Sequence, residues 1–182
     1  EHITADHMHD LGKFLFAFSI FWTYMWFSQY MLIWYANVGE ETVYFKERLL
    51  NYKPLFFGNL LINFILPFLV LMRNDNKRKF GPLAFASVMV FLGHWLDFFL
   101  MIKPGVRHTA MEALGHHHSG HNGSLPFEMG FTMPGLLELG TMLGFLAFYL
   151  FITLRSLSKA ALFPKNDPYA EEATHHHVWP YV

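Results

Sequence analysis

The sequence contains no cysteine, which excludes disulfides, thiolate metal sites, Fe–S ligation and cysteine nucleophiles. Charged residues are also scarce, at 15% of 182 positions, whereas a soluble domain carries roughly 25%. The formal net charge is −1 and there is no long basic run, which argues against a nucleic-acid partner. The chain is rich in hydrophobic residues (53%) and in phenylalanine (21), so it has the composition of a membrane protein, although its mean hydropathy is only +0.25.

Four stretches are long and apolar enough to cross a bilayer, which requires about 20 mostly apolar residues. They run over about 12–36, 55–72, 82–102 and 136–157. Each is too long for a strand and apolar nearly all round, which predicts a helix embedded in lipid. We therefore expect an all-α fold, an integral membrane four-helix bundle formed as one domain by residues 1–182, with a polar tail from about residue 160.

The connections between these stretches predict an orientation. A basic hairpin over 73–81 separates the second stretch from the third. Because lysine and arginine collect on the cytoplasmic side of membrane proteins, both termini are expected to be cytoplasmic. The connections 38–54 and 103–135 then face outward. The first of them has the composition of a short interfacial helix, and the second is a long loop from about Pro104 that holds five histidines.

The polar residues inside each predicted helix fall on one stripe. Lipid cannot satisfy polar groups, so these stripes are expected to face the interior of the bundle. The candidate residues for a proton path or a quinol pocket collect in the outer half of the membrane: Gln29, Tyr30, Asn59, Asn63, His94, Asp97 and Glu138. The inner halves of the same helices are almost entirely apolar, so we expect a polar pocket that opens outward and is closed on the cytoplasmic side.

Among these candidates, His94 and Asp97 are the most informative. At spacing i, i+3 they can touch, and a carboxylate can accept the imidazole N–H and stabilise the cation. The functional interpretation of the pair is a proton relay or the recognition of a polar headgroup, and the alternative is a structural hydrogen bond that fixes helix packing. Glu138 is equally well explained as a charge at a helix N-terminus, and Asn59 and Asn63 as helix–helix packing residues.

Two histidine clusters, at 116–121 and 175–177, have the composition of metal sites. Consecutive histidines without a fixed scaffold are more typical of solvated segments, so neither a metal ligand nor a catalytic residue is assigned. A bis-histidine membrane haem needs two intramembrane histidines, and only His94 lies within a predicted span.

Two strings carry a resemblance to a known family: HDLGKF at 9–14 and FSQYMLIWYAN at 27–37, the latter followed by GEET at 39–42. With them, the sequence resembles the NrfD/polysulfide-reductase-type integral membrane subunits, most closely the ActF-like F subunit of alternative complex III, a bacterial quinol:cytochrome c oxidoreductase. Compatible features are Asn59, Asn63, GHWLD at 93–97 and the closing PxxDPY at 164–169.

The resemblance implies a larger assembly. Members of the family are longer, with two four-helix bundles, so this chain is expected to correspond to the C-terminal half. It would be a multi-pass protein of the bacterial cytoplasmic membrane, bound to lipid and to other subunits of a complex that oxidises menaquinol or a similar quinol. Haem c and Fe–S clusters are expected in those partner subunits, and this chain, which holds no redox cofactor, would scaffold the assembly and provide a proton half-channel.

Three other hypotheses stay open from the sequence. The chain could be the quinol-binding subunit of the same complex, with His94 and Asp97 receiving the hydroquinone protons. It could be a metal transporter or chaperone that uses the His-rich segments. It could also be a structural bundle that only packs against sister subunits.

Overall fold

The computed structural model describes residues 4–113, 134–160, 168–169 and 172. Every element within these residues is helical, which confirms the predicted all-α class. The chain divides into two compact units, the first formed by 1–123 with 177–182 and the second by 124–176. The single domain expected from the sequence stays a prediction, and the two units are described separately.

The first unit holds α1 (Ala5–Ala36), α2 (Gly39–Asn51), α3 (Lys53–Leu60), a π-helical segment (Leu61–Ile65), α4 (Leu66–Leu71), α5 (Asn74–Lys77) and α6 (Phe80–Ala113). The second unit holds α7 (Leu136–Leu157). From α3 to α4 the chain forms one continuous helical rod. Among the described residues, three helices are long and apolar enough to cross a membrane: Lys53–Leu71, Phe80–Ala110 and Leu136–Leu157.

The first predicted span lies within α1, but α1 is not one of these three helices. With 32 residues, α1 is long enough to cross a bilayer. Its indole, phenol and amide side chains, among them Trp22, Trp26 and Gln29, lower its hydropathy compared with the aliphatic helices. The four-span count and the cytoplasmic position of both termini therefore stay predictions.

The connection between α1 and α2 is short because Asn37 ends α1 in the left-handed conformation, with φ of 48° and its N–H donated to the carbonyl of Ile33. The helix expected in the 38–54 connection is present as α2. It contacts α6, where the guanidinium of Arg107 lies 3.6 Å from the carboxylate of Glu47.

The predicted loop from Pro104 is wrong in its first part, because α6 continues through Pro104 to Ala113. A proline inside a helix removes one backbone hydrogen bond. The contact between Arg107 and α2 holds the helix beyond that point. The rest of the predicted loop, with the histidines at 116–121, lies outside the described residues, as does the cluster at 175–177.

The rod from α3 to α4 changes to a π-helix at Asn63. The N–H of Leu66 donates to the carbonyl of Leu61, five residues earlier, and the next residue, Pro67, has no N–H to donate. Asn63 is fully buried against α6. A Cβ added at Gly93 would lie 2.7 Å from Cγ of Asn63, so only glycine permits this approach.

The core of the first unit has two parts, one beside the middle of α6 on the α2 side and one beside its start. At the α2 end, the buried cluster is formed by Tyr52, Leu96, Phe99 and Leu100, with Leu55 and Ile62 against it. At the α5 end, it is formed by Leu71, Leu83 and Ala86, with Met8, Leu15, Phe16 and Val70 against it. The candidate site lies beside the first cluster, and the second is entirely apolar.

Candidate functional site at Asp97

The site is centred on the half-buried carboxylate of Asp97 on α6. Nε1 of Trp22, on α1, donates a hydrogen bond to Oδ2 over 3.2 Å. Nδ2 of Asn59, on α3, donates to Oδ1 over 2.8 Å. Each carboxylate oxygen thus receives one N–H from a different helix, which fixes the orientation of the group and ties three helices together at one point.

A chain of amide hydrogen bonds extends from this carboxylate. Nδ2 of Asn63 donates to Oδ1 of Asn59 over 2.6 Å. An ionised carboxylate only accepts hydrogen bonds, so Asn59 must present its NH₂ to Asp97 and its oxygen to Asn63. Oδ1 of Asn63 is buried and has no hydrogen-bond partner in the described part of the chain. The predicted inward position of both asparagines is confirmed.

His94 does not pair with Asp97 as the i, i+3 spacing led us to expect. Its ring meets the indole of Trp22 edge-on, with centroids 6.1 Å apart, and within residues 4–110 no hydrogen bond joins it to Asp97. The donors to Asp97 come instead from two other helices, Trp22 on α1 and Asn59 on α3. His94 therefore contacts the indole of Trp22, and this indole donates the hydrogen bond to Asp97.

A small cavity of about 50 Å³ borders Asp97 and Asn59 and extends toward α2, where Arg48 and Tyr44 line it. A water molecule needs roughly 10–15 Å³ of such volume, so the cavity has room for a few waters. Pockets for organic ligands are much larger, roughly 300–1,000 Å³. The arrangement is therefore suited to water and protons.

Arg48 is the cation of this site, and it is only 5% exposed. Its guanidinium donates to the carbonyl of Tyr44 over 2.6 Å and to the carbonyl of Met101 over 3.1 Å, and lies 3.3 Å from the centre of the Tyr44 ring. Burial lowers the pKa of Arg48, and the negative charges of nearby groups, including Asp97, oppose this shift. Since an arginine side chain stays protonated in proteins, the cavity has a fixed positive charge opposite the carboxylate.

One donor of Arg48 is unused. Nε of Arg48 is buried and has no hydrogen-bond partner among the residues that the structure describes. A buried N–H without a partner is costly, and water in the adjoining cavity can accept from it. The cavity thus connects an unsatisfied donor on α2 to a titratable carboxylate on α6.

A comparison with protein-family models gives no match for this sequence. A comparison with curated proteins gives no significant match either.

The remaining candidate residues are distributed over three places. Gln29 is exposed and lines the cavity. Tyr30 stacks on Trp26, with ring centroids 6.5 Å apart, and lines a separate apolar groove of about 360 Å³ between α1 and α2. Glu138 belongs to the second unit, where its carboxylate accepts the backbone N–H of Gly135 over 3.0 Å. This contact supports its interpretation as a charge at a helix N-terminus.

Sequence reasoning missed Trp22 and Arg48 as site residues. A tryptophan in an apolar helix such as Trp22 is typical of packing. Arg48 lies in the 38–54 connection, for which only a short helix at the membrane surface was predicted. The signal available in the sequence was the i, i+3 spacing of Phe45 and Arg48, which places both on one face of a helix. In the structure both side chains are buried. No group of three or more His, Cys, Asp or Glu able to hold a metal lies in residues 4–113 or 134–160.

Proposed function

We propose that this chain is a non-catalytic membrane subunit of a respiratory quinol:cytochrome c oxidoreductase of the alternative complex III type. In that complex it scaffolds the assembly and provides a proton half-channel at Asp97. The apolar helices and the family resemblance support the setting. The half-channel rests on one observation: a carboxylate borders a water-sized cavity opposite a buried arginine.

The surroundings of Asp97 support access from the α2 side only. At a rise of about 1.5 Å per residue, Asp97 lies roughly 25 Å from the start of α6 at Phe80, near the middle of this 34-residue helix, and it lines the same cavity as Arg48 of α2. Beyond it toward the α5 end, the core around Leu71 and Leu83 is apolar. In the proposed orientation, with the α2 end facing outward, protons reach Asp97 from outside and stop there.

The amide chain can accommodate a change in the charge of Asp97. When the carboxylate takes a proton from water in the cavity, it gains an O–H donor. Asn59 then turns its oxygen toward Asp97 and its NH₂ toward Asn63, and the hydrogen bonds run in the opposite direction. The number of bonds in the chain is the same in both directions.

The geometry favours a proton site over a quinol site at this position. The quinol-binding hypothesis places a ring beside His94 and Asp97, where the cavity of about 50 Å³ is smaller than ligand pockets of roughly 300–1,000 Å³. The metal-transport hypothesis depends on histidines outside the described residues.

The test is Asp97→Asn in the intact complex reconstituted into vesicles. We expect assembly and electron transfer to be retained, because Asn can still accept from Trp22, while the number of protons taken up or released per electron changes. The matched control is Asp75→Asn, since Asp75 is an exposed carboxylate that contacts Arg73 over 3.5 Å. An unchanged proton stoichiometry in Asp97→Asn would contradict the half-channel, and loss of assembly would favour the structural hypothesis.

A further inference from the structure

A second group of cations lies at the α5 end of the first unit, where the first turns of α1 meet the connection between α4 and α6. We define the α5-end cluster as the cations Lys13, Lys77 and Lys79 together with the imidazole of His9, whose pKa is lowered by burial and by the neighbouring positive charges. Lys77 is only 8% exposed and His9 only 6%, while Lys13 and Lys79 reach the surface. None of these residues contributes to the site at Asp97.

Lys77 is held in place by its neighbours. Its Cβ lies so close to α1 that a Cβ added at Gly12 would be 3.0 Å away. Its ammonium lies 5.0 Å from the centre of the Phe16 ring. Nδ2 of Asn76 donates to the carbonyl of Val70 over 2.9 Å, which closes the end of α4 and fixes the turn that carries Lys77. The ammonium is therefore positioned by packing and is not a freely moving surface charge.

The carboxylates of this region have other partners. Asp6 lies 3.5 Å from the guanidinium of Arg78, and Asp10 lies 3.2 Å from the ammonium of Lys13. Asp75 contacts Arg73. Burial lowers the pKa of Lys77, and the charge of Lys13 lowers it further.

Among the described residues, two cations of the cluster, Lys77 and Lys79, are left without an anionic partner. Within residues 4–110, no carboxylate lies within 4 Å of Lys77 or Lys79. Nδ1 of His9 is buried without a hydrogen bond, and the nearest carboxylate oxygen, of Asp10, is 3.9 Å away. The cluster therefore has an excess of positive charge and of N–H donors, which an external anion can satisfy.

We propose that the α5-end cluster binds the phosphate of an anionic lipid headgroup. The cluster stands at the end of two helices that are long and apolar enough to cross a membrane, Lys53–Leu71 and Phe80–Ala110, which is the level of the headgroups. Basic groups beside membrane helices attract anionic lipids, and an ammonium supplies three donors and no acceptor.

The surroundings favour a lipid over free phosphate. Phe14 follows Lys13 and is 63% exposed, Met72 precedes the hairpin and is 62% exposed, and Phe80 follows Lys79 and is 74% exposed. These side chains provide apolar surface for acyl chains directly beside the cations. Free phosphate would gain nothing from this surface, whereas a phospholipid would contact both the cations and the apolar side chains.

The test uses the full chain in detergent micelles and native mass spectrometry to count bound lipids during titration with phosphatidylglycerol. We expect the wild-type chain to retain phosphatidylglycerol in preference to phosphatidylcholine. Lys77→Met keeps the apolar stem but removes the charge, and should weaken retention about fivefold, the effect of one basic residue near a membrane surface. Lys77→Arg keeps the positive charge and should retain phosphatidylglycerol as the wild type does. Lys46→Met, an exposed lysine on α2, is the matched control and should bind as wild type does.

Several results would overturn the proposal. Equal retention of phosphatidylglycerol and phosphatidylcholine would do so, as would unchanged retention in Lys77→Met. Displacement of the lipid by millimolar inorganic phosphate would assign the site to a free anion. If Lys77→Met fails to fold by circular dichroism, the exposed Lys79→Met and Lys13→Met variants replace it, with the same expected weakening.

Discussion

The two ends of the first unit both bury a cation against an aromatic ring, and they compensate its charge differently. At the α2 end, Arg48 lies over Tyr44, donates to two backbone carbonyls and faces Asp97 across a cavity. At the α5 end, Lys77 lies near Phe16 and no described carboxylate is within reach. The charge at the α2 end is balanced inside the protein, which suits internal proton chemistry. The charge at the α5 end is left for an external partner.

Glycine permits the close helix contact at each end, but the neighbours differ in how they can respond. Gly93 faces the buried amide of Asn63, which is fixed by hydrogen bonding. Gly12 faces Cβ and Cγ of Lys77 at 3.0 and 3.1 Å, a less close approach than the one at Gly93. The α2 end is therefore expected to be the more rigid of the two, and three substitutions test this difference.

The largest effect is expected from Gly93→Ala. The new Cβ would lie 2.7 Å from Cγ of Asn63 and 2.8 Å from Cγ2 of Ile62, so α6 must move away from the π-helical segment. Such overpacking costs about 1–3 kcal/mol, and we expect the upper part of this range because the Asn63–Asn59 hydrogen bond is strained as well. Thermal unfolding in detergent, followed by circular dichroism, measures the loss.

Gly105→Ala is the matched control on the same helix, since nothing lies within 4 Å of its added Cβ. It should be neutral or stabilising by up to about 1 kcal/mol, because alanine has the better helix propensity. Equal stability of the two variants would show that the contact between α6 and the π-helical segment is not tight.

The second effect, of about 2 kcal/mol, is expected from Arg48→Met. This change removes the guanidinium and leaves the carbonyls of Tyr44 and Met101 with one donor fewer, a loss typical of buried hydrogen bonds to a charged group. It also removes the cation that lines the cavity beside Asp97. Thermal unfolding in detergent, followed by circular dichroism, measures the loss of stability.

Arg48→Lys is the control that keeps the charge. It should cost less stability than Arg48→Met, although it loses the second carbonyl contact because an ammonium lacks the forked geometry of the guanidinium. If both variants unfold at the wild-type temperature, the carbonyl contacts of Arg48 do not stabilise the first unit.

The sequence predicts part of this site because membrane helices follow simple constraints. Polar side chains must avoid lipid, so the inward position of Asn59 and Asn63 follows from their spacing alone. The hydrogen-bond partners of Asp97 do not follow from spacing. An i, i+3 spacing shows that His94 is near, but Trp22 and Asn59 are better placed to donate, and this depends on how α1 and α3 pack.

Arg48 illustrates more clearly what the sequence does not predict. In sequence it is one charge in a polar connection. Its burial depends on α2 folding back onto α6 after Asn37 ends α1. The π-helical segment is similar, since Pro67 indicates only that a backbone hydrogen bond is missing. Where the helix widens as a result depends on the contact of Asn63 with Gly93. Tertiary contacts, not local propensity, determine both features.

The smallest effect on stability is expected from Gly12→Ala, and its consequence for binding is the more informative result. The added Cβ would lie 3.0 Å from Cβ of Lys77 and 3.1 Å from its Cγ, a tight contact that a shift of a few tenths of an ångström between α1 and Lys77 relieves. The gain in helix propensity of about 1 kcal/mol offsets much of that strain, so thermal unfolding should change by less than about 0.5 kcal/mol. Since the shift displaces the ammonium of Lys77 from its position over Phe16, retention of phosphatidylglycerol should fall while stability does not. A loss of stability as large as that of Gly93→Ala would show instead that the α5 end is as rigid as the α2 end, and the difference between the two ends would then lie in their charges alone.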